Sequence, residues 1–216
     1  MSSAYPGTFV TIEGGEGAGK TGVTRAMAKA FKDAGRKVVL TREPGGCAEA
    51  ELLRDLVVKG DAGRWAPMSE LLLFLAARRE HLDRVVIPAL RDGAVVLCDR
   101  FSDSTVAYQG AKGIPTETIL ALNEVVCQGF SPDVTLLLDI DPRIGLERSM
   151  RRLVAASSGE DRFESLGIAY HDSIRASFLD AAKRNPERFV VIDASNEQEL
   201  VIEKAVEEIG KRTGIL

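Results

Sequence analysis

The fold of this chain follows from one stretch of its sequence, Gly14-Gly15-Glu16-Gly17-Ala18-Gly19-Lys20-Thr21. The stretch fits the phosphate-loop pattern, in which a glycine and four further residues precede Gly-Lys-Ser/Thr. Residues 9–12 before it are apolar or β-branched, which predicts a buried strand, and residues 26–31 after it place apolar side chains along one helical face. A strand, a glycine-rich loop and a helix in this order indicate a site for the phosphates of a nucleoside triphosphate.

Each residue type in the loop suits that chemistry. Glycines let backbone N–H groups approach phosphate oxygens, and a helix that begins near Lys20 adds the positive end of its dipole. The Lys20 ammonium can reach the β- and γ-phosphates, while the Thr21 hydroxyl can ligate Mg²⁺. A glycine-rich turn arising by chance is the alternative, and the strand and helix on either side of the loop argue against it.

Length and composition indicate an ordinary globular protein. The 216 residues, of which 45% are hydrophobic and 28% charged, suit one α/β domain with a full core, so we expect a single domain over residues 1–216. The net charge of −4 provides no overall basic field for nucleic acid or a membrane surface, and we expect neither partner. An anionic ligand must therefore be held by local clusters of arginine and lysine.

The cysteines Cys47, Cys98 and Cys127 bear on the cellular compartment. Their number is odd and their spacing does not suit a metal site, so reduced thiols are the better interpretation. Residues 1–7 lack the charged and apolar regions of a signal peptide, and the longest apolar run, residues 71–77, is too short to span a bilayer. We therefore expect a cytoplasmic protein.

Strand-like and helical patterns alternate along the chain, which predicts a parallel sheet covered by helices on both faces. Each predicted strand is dominated by Val, Leu, Ile or Phe with little alternation, so we expect all of them to be buried on both sides. A long helical pattern from Ser69 to Arg91 contains Pro88, which should kink it. The five predicted strands lie near residues 8–13, 38–42, 94–98, 134–139 and 189–192.

Asp99 and Arg100 directly follow the predicted third strand. Ligands of open parallel sheets bind beyond the carboxyl ends of the strands, so this pair should lie beside the phosphate loop. Asp99 could hold Mg²⁺ directly or through water, and Arg100 could pair with a phosphate, although a structural ion pair at the strand end is the alternative. The next segment, residues 101–110, is polar and aromatic, and we interpret it as a long ligand-binding loop.

Two further segments could face a ligand. Phe74 and Arg78 are four residues apart on a predicted helix and share a face, where a ring and a planar guanidinium would suit a flat heteroaromatic base. From these residues alone, however, the favoured interpretation is a core Phe74 and a solvated Arg78. Residues 41–46, Thr-Arg-Glu-Pro-Gly-Gly, predict a defined turn after the second strand. Arg54 on the next helix could point either to the site or to water.

A group of arginines follows the predicted fourth strand. Arg148, Arg151 and Arg152 are three or four residues apart on a predicted helix, and the small, polar residues 155–160 come shortly after. Any one of these arginines could belong to a solvated charged face. Phosphoryl transfer, however, leaves charge on equatorial oxygens, which arginines neutralise well. We therefore expect a small lid, over about residues 148–162, that closes on the nucleotide.

Five motifs, in order and at suitable spacing, make the chain resemble the bacterial thymidylate kinases. They are the phosphate loop, Thr-Arg-Glu-Pro-Gly-Gly at 41–46, Phe-x-x-x-Arg at 74–78, Asp-Arg-Phe with Ser-Thr-x-Ala-Tyr-Gln-Gly at 99–110, and Leu-Asp-x-Asp-Pro at 138–142. The resemblance extends from about Thr8 to the C-terminus. It implies a P-loop kinase fold with a five-stranded parallel sheet, transfer of the γ-phosphoryl group of ATP to dTMP with Mg²⁺, and a homodimer.

The resemblance also implies roles for the residues that match its motifs. Arg100 would hold the phosphate of dTMP with Arg54 near it, Glu16 would face the 3′-hydroxyl of the sugar, and Tyr108 would lie under the sugar. Phe74 would stack on thymine and Arg78 would contact its O4. The further residues expected along dTMP are Ser104, Thr105 and Gln109.

Gly17 stands where some members of the family carry an arginine in the phosphate loop. In the family that pattern goes with arginines supplied by the lid. The catalytic residues expected on this basis are Lys20, Glu16, Arg100, Arg148, Arg151 and Arg152.

The chain departs from the family pattern at Gly22, where a second Thr or Ser is usual, and at Cys47, where Thr usually follows Pro-Gly-Gly. Neither change removes a residue that the chemistry requires. Another nucleoside monophosphate kinase is the nearest alternative. A nucleotide-dependent switch is a weaker one, because the sequence contains neither a guanine-reading Asn-Lys-x-Asp tetrad nor an Asp-x-x-Gly after the third strand. No chemistry is assigned to His81 or His171.

Overall fold

The described residues in the computed structural model are 5–60, 63–156 and 167–216, and for residues 152–156 only the backbone is described. One parallel sheet contains β1 (Thr8–Gly14), β2 (Val38–Arg42), β3 (Val95–Asp99), β4 (Val134–Asp139) and β5 (Phe189–Asp193). The order of its strands is β2-β3-β1-β4-β5. The predicted five-stranded parallel sheet is confirmed, and each strand lies where its apolar run predicted it.

Helices connect the strands and cover the sheet. Those before β3 are α1 (Lys20–Asp33), α2 (Ala48–Val58), α3 (Pro67–His81) and α4 (Ile87–Arg91). Those after β3 are α5 (Ser102–Gly110), α6 (Thr116–Cys127), α7 (Pro142–Ala156), α8 (Ile168–Arg184) and α9 (Gln198–Thr213). Across the described parts of the chain, we find no helix that combines the length and apolar character needed to cross a membrane.

The core forms on both faces of the sheet, as the alternating pattern predicted. On one face, Met27 and Phe31 of α1 and Ile209 of α9 are fully buried against the strands. On the other face, Leu90 of α4 and Phe178 of α8 pack against strand residues in the same way. Burying a side chain of this size contributes about 1.5–3 kcal/mol, so the two layers hold the sheet rigidly beneath the site.

The edge strands differ from the sequence-based expectation. Leu40 of β2 is 44% exposed and Val191 of β5 is 49% exposed, whereas the central strand β1 is buried along almost its whole length. The prediction that all five strands are buried on both sides is therefore wrong for β2 and β5. An edge strand has a neighbour on one side only, and the apolar composition of a strand does not reveal its place in the sheet.

The helical pattern that contains Pro88 is interrupted by a wider turn. α3 ends at His81, Leu82–Val86 form a π-helical segment, and α4 begins at Ile87. Proline has no N–H, and its ring would clash with the carbonyl group four residues earlier in a regular α-helix. The π-helical segment directly before Pro88 accommodates both effects.

Residues 101–110 do not form the long loop that we expected. Ser102–Gly110 are helical, and the side chains of Ser104, Thr105, Tyr108 and Gln109 are buried on α5. These residues are spaced as one face of a helix, but three of them are polar. Because the apolar periodicity that identifies a helix is missing where the buried face carries polar groups, the sequence suggested a loop.

Candidate active site

The phosphate loop turns between β1 and α1 at the carboxyl edge of the sheet. Gly14 has φ +139°, and a Cβ at this position would meet the carbonyl oxygen of Leu138 at 2.5 Å. Gly17 has φ +66°, and a Cβ there would lie 1.9 Å from the carbonyl oxygen of Gly145. Only glycine fits at these two positions. The loop is thereby packed tightly against β4 and against the first turn of α7, the helix that leads to the predicted lid.

Lys20 folds back over the phosphate loop. Its Nζ donates to the carbonyl oxygens of Gly14 at 3.0 Å and Gly15 at 2.8 Å. Burial and the neighbouring Arg100 together lower the pKa of Lys20 to about 8. Because both effects disfavour the charged form, the bound phosphates of a nucleotide would stabilise this ammonium strongly.

Thr21 and Asp99, the predicted Mg²⁺ ligands, lie side by side. The Thr21 hydroxyl donates to Asp99 Oδ2 at 3.2 Å. In the sheet, Asp99 pairs with Ile12 of β1, just before the phosphate loop. The described residues contain no group of three or more His, Cys, Asp or Glu that could hold a metal. One hydroxyl and one carboxylate suit a Mg²⁺ ion whose other ligands are water and phosphate oxygens.

Arg100 lies beside the phosphate loop, as its place after β3 predicted. Its Nη1 donates to the Gly14 carbonyl oxygen at 3.0 Å and to Ser104 Oγ at 3.1 Å. Its Nη2 lies 3.2 and 3.3 Å from the two carboxylate oxygens of Glu16. The guanidinium also lies over the Tyr108 ring, 4.8 Å from its centre. Arg100 therefore forms a cationic group at the edge of the loop, where a second phosphate could bind.

Glu16 connects the phosphate loop to α5. Burial would raise the pKa of this carboxyl, but Arg100, Lys20 and the hydrogen bond from Tyr108 lower it to about 2. The Tyr108 hydroxyl donates to Glu16 Oε1 at 2.6 Å. The side chain is therefore a carboxylate throughout the physiological pH range, and it can only accept hydrogen bonds.

Arg78 is buried, which overturns the interpretation of a core Phe74 and a solvated Arg78. Arg78 is 2% exposed, whereas Phe74 is half-buried. The guanidinium donates to Glu43 Oε2 at 2.8 Å, to Asn123 Oδ1 at 2.7 Å and to Thr105 Oγ1 at 2.8 Å. These partners use three of its five N–H groups and make burial of the charge possible. The guanidinium has two further N–H groups that these three hydrogen bonds do not use.

Sequence analysis missed Glu43, the carboxylate that pairs with Arg78. Glu43 Oε1 lies 2.9 Å from His81 Nδ1, and His81 Nε2 lies 2.6 Å from Thr41 Oγ1. Burial would raise the pKa of Glu43, but Arg78 and His81 hold it below its usual value. An acidic residue inside Thr-Arg-Glu-Pro-Gly-Gly was the available signal, because a charge in a tight turn at a strand end commonly has a buried partner.

The other residues expected along the acceptor nucleotide are partly engaged within the protein. Gln109 is 1% exposed, and its amide donates to Glu70 Oε1 of α3 at 3.1 Å. Arg54 Nη1 donates to the carbonyl oxygen of Pro44 at 2.9 Å. The structure therefore places Arg54 at the turn after β2 and joins Gln109 to the neighbouring helix.

The predicted lid arginines lie on or beyond α7. Arg148 donates to the carbonyl oxygens of Ala194 at 2.8 Å and Ser195 at 3.1 Å, after β5. Arg151 is exposed and donates to Glu147 one turn earlier, at 2.6 Å. The side chain of Arg152 and the end of the predicted lid lie outside the described residues. Of the two arginines whose side chains are described, Arg148 is the one held against the sheet edge.

A cavity lies beside the phosphate loop, between β4 and α8. Its lining includes Glu16, His171 and Arg175, and Arg175 makes two hydrogen bonds to Asp139, at 2.7 and 2.8 Å. His171 is 4% exposed, and its Nε2 has no hydrogen-bond partner among the described residues. This imidazole, to which the sequence assigned no chemistry, therefore lies next to the site.

The two departures from the family pattern have structural correlates. A Cβ at Gly22 would lie 2.4 Å from the side-chain amide nitrogen of Gln198, so the flexible end of this side chain would have to move to make room for a larger residue. Cys47 precedes α2 and makes no side-chain cap hydrogen bond. A Thr hydroxyl at this position could cap the helix, worth about 0.5–2 kcal/mol.

Together, the sheet order, the phosphate loop after its central strand and the cations around that loop define a P-loop kinase. The chain belongs to the thymidylate kinase family, whose sequence profile matches residues 12–205. It is 49% identical over 210 residues to the thymidylate kinase of Caulobacter vibrioides, covering 97% of this chain and 99% of that protein. It is 44% identical over 205 residues to the thymidylate kinase of Pelobacter propionicus, covering 94% of each.

A solved structure agrees with this family. The crystal structure of thymidylate kinase from Ehrlichia chaffeensis matches with a TM-score of 0.75 at 33% sequence identity, covering 94% of this chain and 98% of that one. The family and the fold predicted from the five sequence motifs are confirmed.

Proposed function

We propose that the protein transfers the γ-phosphoryl group of ATP to dTMP by direct in-line displacement, giving dTDP and ADP. One observation carries this proposal: Glu16 of the phosphate loop accepts hydrogen bonds from Tyr108 at 2.6 Å and from Arg100 at 3.2 Å. The phosphate loop, which suits the donor phosphates, is thereby joined by hydrogen bonds to Arg100 and α5, which suit the acceptor nucleotide. No nucleophilic side chain is required, because positioning and charge neutralisation carry phosphoryl transfer.

The acceptor phosphate and sugar would lie between the loop and α5. Arg100 would exchange its contacts with Gly14 and Glu16 for the phosphate of dTMP, with Arg54 near it. Glu16 would then accept a hydrogen bond from the 3′-hydroxyl group, since its low pKa keeps it ionised. The Tyr108 ring, which is 7% exposed, would lie under the sugar and leave little room for a 2′-hydroxyl.

The base would lie between α3 and α5. Phe74 is half-buried and can offer a ring face for stacking on thymine. Arg78 keeps N–H groups beyond those bonded to Glu43, Asn123 and Thr105, and one of them would donate to thymine O4. The buried ion pair with Glu43 fixes the plane of the guanidinium, which makes the contact directional.

Mg²⁺ would bind at Thr21 and Asp99, which supply a hydroxyl and a carboxylate 3.2 Å apart. When bound, the ion would supply positive charge that neutralises the phosphates of ATP. Oxygen donors of this kind suit Mg²⁺ better than softer metals. Thr21 and Asp99 would hold the ion next to the phosphate loop.

The chain would act as one kinase domain in which a lid, over about residues 148–162, supplies arginines to the transferring phosphoryl group. The close contact between Gly17 and Gly145 ties the start of α7 to the phosphate loop. Arg151 lies two turns further along α7, its side chain is 77% exposed, and the ion pair that it makes within the described part of the chain is a surface pair with Glu147. Exposed pairs of this kind are weak, so Arg151 is free to change partner when a nucleotide binds.

A homodimer would cover an apolar surface formed by α2, α3 and α6. Leu52 on α2 and Val125 on α6 are 72% and 75% exposed, and Leu72 on α3 is 50% exposed. α3 packs against both α2 and α6, so these side chains lie on adjoining helices. An exposed apolar patch rimmed by polar residues commonly marks a protein–protein interface.

Sedimentation velocity tests the dimer. The wild-type protein should sediment as a dimer, and Leu72→Glu with Val125→Glu should give a monomer. Leu200→Glu, at a 48% exposed position on α9 away from this surface, is the control and should remain dimeric. A wild-type protein that is monomeric at micromolar concentration would contradict the proposed dimer without affecting the kinase.

We also propose a cytoplasmic location. Cys47, Cys98 and Cys127 are free thiols, and burial raises the pKa of Cys98 and Cys127. Unpaired cysteines suit a reducing compartment. Fractionation of the source cells should recover the protein with the cytoplasmic marker enzymes, and recovery with secreted or periplasmic proteins would contradict this location.

The kinase proposal is tested by following the nucleotides directly. Protein, ATP, Mg²⁺ and dTMP should yield dTDP and ADP in equal amounts by anion-exchange chromatography, and a chelator of Mg²⁺ should stop the reaction. Failure to form dTDP from dTMP, combined with phosphorylation of a different monophosphate, would contradict the proposal and support another nucleoside monophosphate kinase.

A further inference from the structure

Glu13 is a buried carboxylate in the centre of the site to which the proposed reaction gives no role. It is the second-last residue of β1, directly before the phosphate loop, and is fully buried. Burying a carboxylate is costly unless hydrogen bonds or cations compensate it. The partners of Glu13 therefore indicate what it contributes.

The first partners of Glu13 are backbone N–H groups around Arg100. Glu13 Oε1 accepts from the N–H of Phe101 at 2.8 Å and from the N–H of Ser104 at 3.4 Å. Arg100 itself has φ +70°, a left-handed conformation that is strained for a residue with a side chain. Such a conformation persists only where its surroundings fix it, and Glu13 anchors the backbone immediately after it.

The second connection runs through a side chain. The Ser104 hydroxyl donates its hydrogen to Glu13 Oε2 at 2.5 Å, which leaves the lone pairs of Ser104 Oγ available. One of them accepts a hydrogen bond from Arg100 Nη1 at 3.1 Å. Glu13 thus orients the Ser104 oxygen as an acceptor for Arg100. Both the backbone and the guanidinium of Arg100 are held, directly or through one residue, by the same carboxylate.

We propose that Glu13 is a positioning residue, which sets the backbone conformation and the guanidinium direction of Arg100 for the acceptor phosphate. This inference rests on the proposed function, because it assumes that Arg100 binds the phosphate of dTMP. It assigns Glu13 no contact with either nucleotide.

The surroundings of Glu13 bring the pKa of its carboxyl into the pH range in which the kinase would work. Burial and the neighbouring Asp103 raise its pKa to about 7, although the Ser104 hydrogen bond and Arg100 oppose the shift. A carboxyl protonated below this pH is a weaker acceptor for Ser104. The charged groups that interact with Glu13 are Asp103 of α5, Arg100, Lys20, Arg78 of α3, and Arg188 before β5.

The test compares Glu13→Gln with the wild-type protein by calorimetric titration of dTMP. The Gln amide nitrogen can only donate, so it would donate to a lone pair of Ser104 Oγ. The hydrogen of the Ser104 hydroxyl would then have to point in another direction. We expect dTMP binding about 10- to 100-fold weaker, the usual effect of losing a hydrogen bond to a charged group. Binding of a non-hydrolysable ATP analogue should change less than about threefold.

Thr11→Val is the matched control, because Thr11 is also fully buried on β1 and shares a hydrogen bond with Thr135 at 2.9 Å. It should lower the melting temperature without weakening dTMP binding. A folded Glu13→Gln protein that binds dTMP as tightly as Thr11→Val would overturn the inference. If Glu13→Gln does not fold, Ser104→Ala keeps the Glu13 carboxylate and removes the hydroxyl that connects it to the Arg100 guanidinium. Normal dTMP binding by that variant would count equally against the inference.

The pH profile separates positioning from general destabilisation. The ratio of kcat/KM for dTMP in wild-type protein to that in Glu13→Gln should rise between about pH 6 and pH 8, as Glu13 ionises in the wild type only. Ionisation of dTMP itself affects both proteins and cancels in the ratio. A flat ratio would contradict the inference. A wild-type protein that neither binds nor phosphorylates dTMP would instead contradict the proposed function.

Discussion

Lys20 and Arg100 donate to one acceptor: Lys20 Nζ and Arg100 Nη1 each lie 3.0 Å from the carbonyl oxygen of Gly14. Two cations that share one acceptor lie close together and repel each other. After burial, Arg100 is the main cause of the lowered pKa of Lys20. The phosphates of a donor and an acceptor nucleotide would neutralise both side chains. We infer that the two substrates meet at this carbonyl group.

The first prediction concerns Lys20 itself. Lys20→Ala should remain folded, because the replaced charge is destabilised by burial and serves ligand phosphates. Turnover should fall by about 10²- to 10³-fold, the usual effect of losing one transition-state charge contact. Lys29→Ala is the control on the same helix, because Lys29 is exposed and forms a surface ion pair with Asp33. Near-normal turnover in a folded Lys20→Ala protein would contradict the role of the loop.

The second prediction is proton uptake when ATP binds. Because the pKa of Lys20 is lowered to about 8, this side chain is largely neutral at pH 9 in the free protein. Triphosphate binding favours the charged form and raises this pKa, so Lys20 should take up close to one proton per site. Titration calorimetry in buffers of different ionisation enthalpy measures the uptake. Lys20→Ala should show none, and an equal binding enthalpy in all buffers for the wild type would contradict the prediction.

The third prediction concerns the arginines on α7. If they act on the transferring phosphoryl group, Arg148, Arg151 and Arg152 changed together to Ala should lower kcat far more than they raise KM for dTMP. Single changes should have smaller effects, because neighbouring cations can substitute for one another. Arg143→Ala, at an exposed position in the first turn of α7, is the control. An unchanged kcat in the triple variant would identify these side chains as a solvated face.

The fourth prediction tests the contact between the phosphate loop and α7. Gly17→Ala places a Cβ 1.9 Å from the carbonyl oxygen of Gly145 and imposes φ +66° on a residue with a side chain. Thermal unfolding should show that the free energy of unfolding falls by about 1–3 kcal/mol. Turnover should fall too, because α7 must move away from the loop. Gly145→Ala, whose Cβ would meet the Glu16 carbonyl oxygen at 2.3 Å, should act similarly. Gly167→Ala, whose Cβ would meet none of the described residues within 4 Å, is the control, and equal effects at all three positions would contradict the account.

The sequence predicts the sheet and the phosphate loop well, because both depend on local patterns. Uninterrupted apolar runs locate the strands, and with them the residues that follow β3. Glycine spacing locates the phosphate loop. The place of β2 and β5 at the edges of the sheet could not be predicted, because the composition of a strand does not show how many neighbours it has.

Sequence reasoning was weakest where polar side chains are buried together. The sequence favours a solvated Arg78, because its partners Glu43 and Asn123 are distant in the sequence and join it only in the folded protein. Glu13 was overlooked for the same reason, since its partners are at the start of α5. An acidic residue at the end of an apolar strand is nevertheless a usable signal, because such a charge must be compensated.

The measurement that tests the central claim most directly compares kcat/KM for dTMP and dCMP in the wild-type protein. Arg78 can only donate, and the 4-amino group of dCMP is also a donor, so each loses its partner at about 1–3 kcal/mol per group. We predict a preference for dTMP of at least ~100-fold, and a smaller penalty of roughly 10- to 200-fold for dUMP, which lacks only the methyl group.

Two variants test which residues produce the preference for dTMP over dCMP. Arg78→Gln should narrow the advantage of dTMP over dCMP, because an amide can donate to O4 or accept from a 4-amino group. Phe74→Ala should instead weaken both pyrimidines together, because stacking does not distinguish their edges. A dTMP preference of 100-fold or more that shrinks in Arg78→Gln agrees with the account. Equal use of dCMP and dTMP by the wild-type protein would contradict the placement of Arg78 at the base, and the assignment of dTMP as the acceptor with it.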